Sequence, residues 1–160
     1  MTVQLAPKPS QAPSDKVAAA LARLLADTYT LYLKTHGYHW NVTGPHFPAL
    51  HALFEAQYIE LHEAVDEVAE RIRAIGPLAP GSSGQLARLT SLAEDEGAPD
   101  ALEMVRRLGA DHETLIATTR TALQAAEAAG DAATIDLATR RLAVHEKTRW
   151  MLRATGEAGA

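Results

Sequence analysis

The sequence predicts an all-α chain: four long helices in a bundle, with one long crossover carrying a short extra helix. Three observations lead there. The composition is 47% hydrophobic but only 5% aromatic, with much Ala and Leu, which favours helices over sheets. Four long segments carry apolar residues at helical spacing, three or four apart. Gly- and Pro-containing turns separate them, and one connection is far longer than the others, as in bundles with a single crossover.

Residues 1–13, MTVQLAPKPSQAP, hold Pro7, Pro9 and Pro13 among mixed polar residues and read as a flexible tail. Ser14 is the candidate N-cap of the first helix, with Asp15 in its first turn. Val17, Leu21, Leu24, Leu25, Thr28, Leu31 and Tyr32 continue the pattern, so this helix is expected from Asp15 to Asn41. Thr43-Gly44-Pro45 stops it. The second helix is expected over Phe47–Ile75, with Pro48 tolerated near its start and Gly76-Pro77 ending it. The loop 76–84 is made of turn-formers, and 85–93 reads as the short extra helix. After the acidic turn 94–99, a third helix is expected over Pro99–Ala129. Gly130-Asp131 separates it from a fourth over Ala132–Thr155. The bundle domain is thus 14–156, with 157–160 a frayed end.

A chain of 160 residues suits one domain with a sizeable core. It has no cysteine, so neither disulfides nor thiolate metal sites are possible. Any metal must be held by His, Asp, Glu or water, which suits iron, manganese or zinc. The N-terminus shows no signal-peptide pattern, and no apolar run approaches a membrane span. The expectation is a soluble, cytoplasmic protein without membrane contact. The net charge of −5 opposes general phosphate binding and suits cation attraction.

The chemistry concentrates in His39–Arg71, HWNVTGPHFPALHALFEAQYIELHEAVDEVAER. His51/Glu55 and Asp66/Glu70 are each spaced four apart, so each pair shares a helix face. At about 100° per residue all four fall on one stripe. Leu50, Phe54, Leu61, Val65, Val68 and Ile72 form the neighbouring apolar stripe, and Glu60, Glu63, Glu67 and Arg71 lie on the far side, where a solvated face is expected. His51 and Asp66 are separated by about 22 Å of helix, so the two pairs of one chain cannot hold the same ion. Either they are unrelated or they are half-sites. Two copies of this helix packed antiparallel about a two-fold axis would place His51/Glu55 of one against Asp66/Glu70 of the other. His39, a short loop from His51, would join the first half-site.

HW at 39–40, NVTGPHF at 41–47, LHALFE at 50–55 and DEVAER at 66–71 closely resemble the Dps family, the dodecameric mini-ferritins named as DNA-binding proteins from starved cells. The motif covers roughly 33 residues, His39 to Arg71, and the family's length and helix order cover nearly the whole chain. The resemblance implies a ferritin-like bundle, a short helix between the second and third long ones, and a homododecamer built from two-fold dimers. It implies ferrous iron bound and oxidised between subunits by His39, His51 and Glu55 of one chain with Asp66 and Glu70 of another. Hydrogen peroxide or dioxygen is the oxidant, ferric mineral is stored in the cavity, and DNA is protected from oxidative damage. Glu55 stands where many members have Asp, which keeps the carboxylate and lengthens its reach. Trp40 is placed beside the iron site, as an electron donor when oxidant exceeds ferrous iron. Asp131 and Asp136 resemble acids lining iron-entry channels at three-fold axes, although Arg140 follows where a further acid can occur. Glu63 and Glu67 resemble cavity-facing mineral nucleators.

Each assignment has a bland counterpart. His39 alone would be a helix-end histidine bonded to a carbonyl, Glu55 a solvated carboxylate, Trp40 core packing, Asp131 the cap of the fourth helix, and Glu63 and Glu67 a polar face. His36, His46, His62, His112 and His145 are non-ligands by default. Arg140, Arg141, Lys147, Arg149 and Arg153 make the fourth helix basic. Such a run usually pairs with nearby acids, and a DNA surface is the minority reading. Neither Glu-x-x-His nor Asp-x-x-His occurs, which disfavours a di-iron site inside one bundle. Two other classes stay open: a nucleoid-compacting DNA-binding protein with iron oxidation secondary, and a structural bundle with a decayed metal site.

Overall fold

The computed structural model describes residues 13–157. It contains α1 (Pro13–Asn41), α2 (Phe47–Ala74), α3 (Ser83–Leu89), α4 (Ala101–Ala129) and α5 (Ala132–Glu157). The expected tail and frayed end at 1–12 and 158–160 lie outside the described residues. Pro13 and Glu157, expected in those ends, are helical.

The helices form two hairpins, α1–α2 and α4–α5, joined by the crossover that carries α3. Gly44, at φ 93°, turns the chain between α1 and α2, a conformation that costs a residue with a Cβ. Gly130, at φ 67°, closes α4 as a left-handed C-cap, and Asp131 follows at the entry to α5. In the crossover, Ser82 and Gln85 form a reciprocal capping box at the start of α3, which satisfies amides that otherwise have no intrahelical partner. The short helix ends at Leu89, earlier than the expected residue 93. The Thr90 hydroxyl and the Ser91 amide instead donate to Asp27 on α1, at 3.0 and 2.5 Å. α4 begins at Ala101 and not at Pro99, because Asp100 caps it by accepting from the Glu103 amide at 2.9 Å.

Two apolar clusters fill the interior. One holds Leu31, Leu50, Phe54, Leu61, Leu108, Leu115 and Leu152. The other holds Leu21, Leu24, Leu25, Val68, Ile72, Ala122 and Leu137. Buried polar residues separate the clusters along α1, α4 and α5: Asp27 and Thr28, Thr119, and Arg141 with His145. Asp27 is fully buried. Besides the crossover it accepts from Thr118 on α4 at 2.7 Å, so it ties α1, α4 and the crossover together.

The far side of α2 keeps Glu63 in solvent as expected, but its other charges are only partly solvated and are paired. It turns toward α5. Arg71 donates to Asp131 at 2.6 Å and to Thr134 at 2.9 Å, Glu67 accepts from Arg140 at 2.5 Å, and Glu60 accepts from the buried Arg141. Only Glu63 of that set is fully exposed. The physical reason is that the adjacent Arg140 and Arg141 of α5 reach Glu67 and Glu60, while Asp131 before α5 takes up Arg71.

Candidate metal centre

His39 sits in the last turn of α1 and His51 in the second turn of α2, brought together by the short turn at Gly44. Their rings stack at 3.8 Å with an interplanar angle of 18°. His39 Nδ1 donates to the His51 carbonyl, and His51 Nδ1 donates to the His39 carbonyl, both at 2.9 Å. A carbonyl oxygen only accepts, so each Nδ1 must carry the hydrogen. In the neutral ring each Nε2 then keeps its lone pair, the form in which an imidazole binds a metal, with ring orientation fixed from behind. The bland reading of His39, a carbonyl-bonded helix-end histidine, and the ligand reading thus describe opposite edges of the same ring.

Glu55, Asp66 and Glu70 lie exposed on α2. Among the described residues, none of the three accepts a hydrogen bond or enters an ion pair, whereas Glu60 and Glu67 on the same helix are both held by arginines. Hard carboxylate oxygens and borderline imidazole nitrogens together suit iron. Among the described residues, no group of three or more metal-capable side chains converges within one chain. One chain therefore supplies two oriented imidazoles and, further along the same helix, unpaired acids.

The surroundings of the pair are aromatic. Phe47 stacks on His51 at 4.9 Å, and Tyr58 meets His39 edge-on at 5.2 Å. Trp40 is 61% exposed, so it is not core packing within the chain. It lies 4.2 Å from His36, which stacks on Tyr58 at 3.9 Å. Burial, and then the neighbouring His39, push the His36 imidazole below its usual value. Sequence reasoning passed over Tyr58. Its signal was available, since Tyr58 follows His51 at seven residues, on the same helix face.

Asp131 and Asp136 are both engaged by arginines. Asp131 accepts from the Thr134 amide at 3.1 Å, the geometry of an N-cap on α5, and from Arg71. Burial pushes its carboxyl up, but hydrogen bonds from Arg71 and Thr134 outweigh this and hold it down at about 2. Asp136 pairs with Arg140 at 3.0 Å and stays largely exposed. The basic residues of α5 mostly follow the bland reading: Arg140 pairs with Glu67 and Asp136, Arg141 with Glu60, and Arg149 with Glu113. His112 and His145, non-ligands by default from the sequence, face each other in the interior with Nδ1 atoms 3.2 Å apart. Among the described residues, no helix is long and apolar enough to cross a membrane.

Comparison with known proteins gives a consistent result. A family model described as the ferritin-like domain matches residues 18–158. The DNA protection during starvation protein of Brevibacillus brevis is 37% identical over 138 residues, spanning 86% of this chain and 93% of that protein. The crystal structure of a Dps protein from Bacillus brevis superposes with a TM-score of 0.87 at 36% identity, covering 89% of this chain and 96% of that one. The Dps protein of Vibrio cholerae O1, described as a member of a broad superfamily of ferritin-like diiron-carboxylate proteins, gives 0.86 at 34% identity and covers 89% of both chains. With helix order, length and sequence in agreement, the chain belongs to the Dps family of ferritin-like proteins.

Proposed function

We propose that this protein oxidises ferrous iron at sites shared between two subunits and stores the ferric product in a hollow homododecamer, protecting DNA from oxidative damage. The observation that carries the reading is the His39–His51 pair, with both Nδ1 atoms bonded to carbonyls and both Nε2 atoms bare. The unpaired Asp66 and Glu70, about 22 Å along the same helix, support the reading that a two-fold partner supplies the remaining ligands. Glu55 completes the first half-site. The name and similarity of the Brevibacillus brevis relative support the protective role.

Iron is the substrate. His39 and His51 would orient it, and Glu55 with Asp66 and Glu70 of the second subunit would neutralise its charge and favour the ferric product. Two ferrous ions give up one electron each. Hydrogen peroxide accepts both and, with two protons, leaves as two waters, so no hydroxyl radical is released. Dioxygen is the alternative oxidant. Trp40, exposed beside His36, is in place to supply an electron when oxidant exceeds iron. Asp131 and Asp136 are proposed to line the entry route. Asp136 is the more available of the two, because Asp131 already caps α5. Asp136→Asn should then slow iron entry without changing oxidation at the site.

A crystal soaked in ferrous salt, with anomalous data at the iron edge, tests the reading. Iron bound to His39 and His51 of one subunit and to Asp66 of another is the expected result. Iron bound by residues of one chain alone, or none at the two imidazoles, overturns it. A light-scattering mass of a dimer or trimer at all concentrations removes the cage.

A further inference from the structure

A cavity of about 280 Å³ opens between α2, α4 and α5, and none of the residues lining it belongs to the iron ligand set. Gln57 and His112 line it and are only 8% and 2% exposed. Among the described residues, the Nε2 and Oε1 of Gln57 and the Nε2 of His112 are buried without a hydrogen-bond partner. Buried polar atoms are rarely left in that state.

A chain of hydrogen bonds fixes what His112 offers. Glu60 accepts from Arg141, which in turn contacts His145 Nε2 at 3.4 Å. A guanidinium only donates, so His145 Nε2 accepts and its hydrogen lies on Nδ1. That Nδ1 donates to His112 Nδ1 across 3.2 Å. His112 must therefore carry its own hydrogen on Nε2, the unpartnered atom. A metal ion needs a bare lone pair, and His112 presents a hydrogen instead. Whatever occupies the cavity must accept.

The charge is also defined. Glu60 lines the cavity, but Arg141 matches its charge. Lys147 lines it too, and among the described residues no carboxylate pairs with it. Thr148 adds a hydroxyl. A single water takes up about 30 Å³ in the liquid, so there is room for more than one. Gln57 Oε1 in addition needs a donor, which a hydrogen phosphate supplies through its own hydroxyl and a sulfate does not.

We propose that this cavity binds a small tetrahedral oxyanion of the phosphate class, held by His112 Nε2–H, the Gln57 amide and the Lys147 ammonium. The assignment does not depend on the shared iron site, and its test uses metal-free protein. Inorganic phosphate is titrated calorimetrically into the intact assembly in an oxyanion-free buffer. Saturable binding of one phosphate per chain is expected, with sulfate weaker. Gln57→Leu and the surface substitution Lys147→Met should each weaken binding roughly tenfold or more, and Lys147→Arg should retain it. Absence of saturable binding, unchanged affinity in Lys147→Met, or crystals soaked in arsenate, a hydroxyl-bearing phosphate analogue, that show only water between Gln57 and His112 would each overturn the assignment.

Discussion

Acidification should loosen this bundle through His112 and His145. Both imidazoles are buried, at 2% and 0% exposure. Burial first, and then the nearby Arg141 charge, push His112 down from 6.5 to about 3. The same two causes, with His112 added, push His145 well below its usual value. As pH falls through 6.5 the unfolded chain takes up these protons and the folded one does not. Their stabilising effect is full above about 6.5 and is lost as pH falls from there toward 3. From pH 7.5 to 5.0, His112 alone accounts for about 2 kcal/mol, at 1.36 kcal/mol per unit, and His145 adds in the same direction. For a domain of this size that is a fall in Tm of ~4–8 °C from His112, measured at fixed protein concentration because the assembly matters. Replacing both with Gln should flatten the pH dependence, and histidine C2 hydrogen exchange read by mass spectrometry reports each imidazole directly. Titration of His112 near 6.5, or equal loss of stability in wild type and the double variant, would refute the reasoning.

Other consequences are equally open to measurement. Asp27→Ala removes the acceptor for Thr90, Ser91 and Thr118 and should cost about 3 kcal/mol in chemical denaturation; a loss under about 1 kcal/mol would mean that Asp27 does not hold the crossover. Asp131 is depressed to about 2, so its contribution is present above about 4 and lost as pH falls toward 2; Asp131→Asn should make acid unfolding in that window shallower. Trp40→Phe should leave iron oxidation with balanced peroxide intact, yet remove the tryptophan radical signal that electron paramagnetic resonance is expected to show in wild type under excess peroxide. Retention of that signal would move the electron donor elsewhere.

The helices were readable because their stops are chemical: Gly44, Gly76 and Gly130 fall at positive φ where each segment ends. The ligand candidates were readable because spacing of four along α2 gives one face without knowledge of any other helix. What stayed hidden depends on pairing between helices. Nothing near Asp27 in the sequence marks its role, because its partners lie 63 to 91 residues away. His112 and His145 are 33 residues apart, and nothing local marks them as neighbours. Glu60 and Glu67 looked solvated because the arginines that hold them come from α5. Helix ends shifted by two to four residues for the same reason: Asp100 and Thr90 compete with the helix for backbone groups.

Mixing two inactive variants tests the shared site most directly. His51→Ala breaks one half of a site and Asp66→Ala the other. If the halves come from different chains, co-assembled random pairs regain one intact site in each mixed dimer, about a quarter of all sites. Ferrous oxidation should therefore return to roughly a quarter of the wild-type rate on co-assembly, while each variant alone stays near zero. Co-assembled protein as inactive as its parents, or a single variant as active as wild type, would contradict the account.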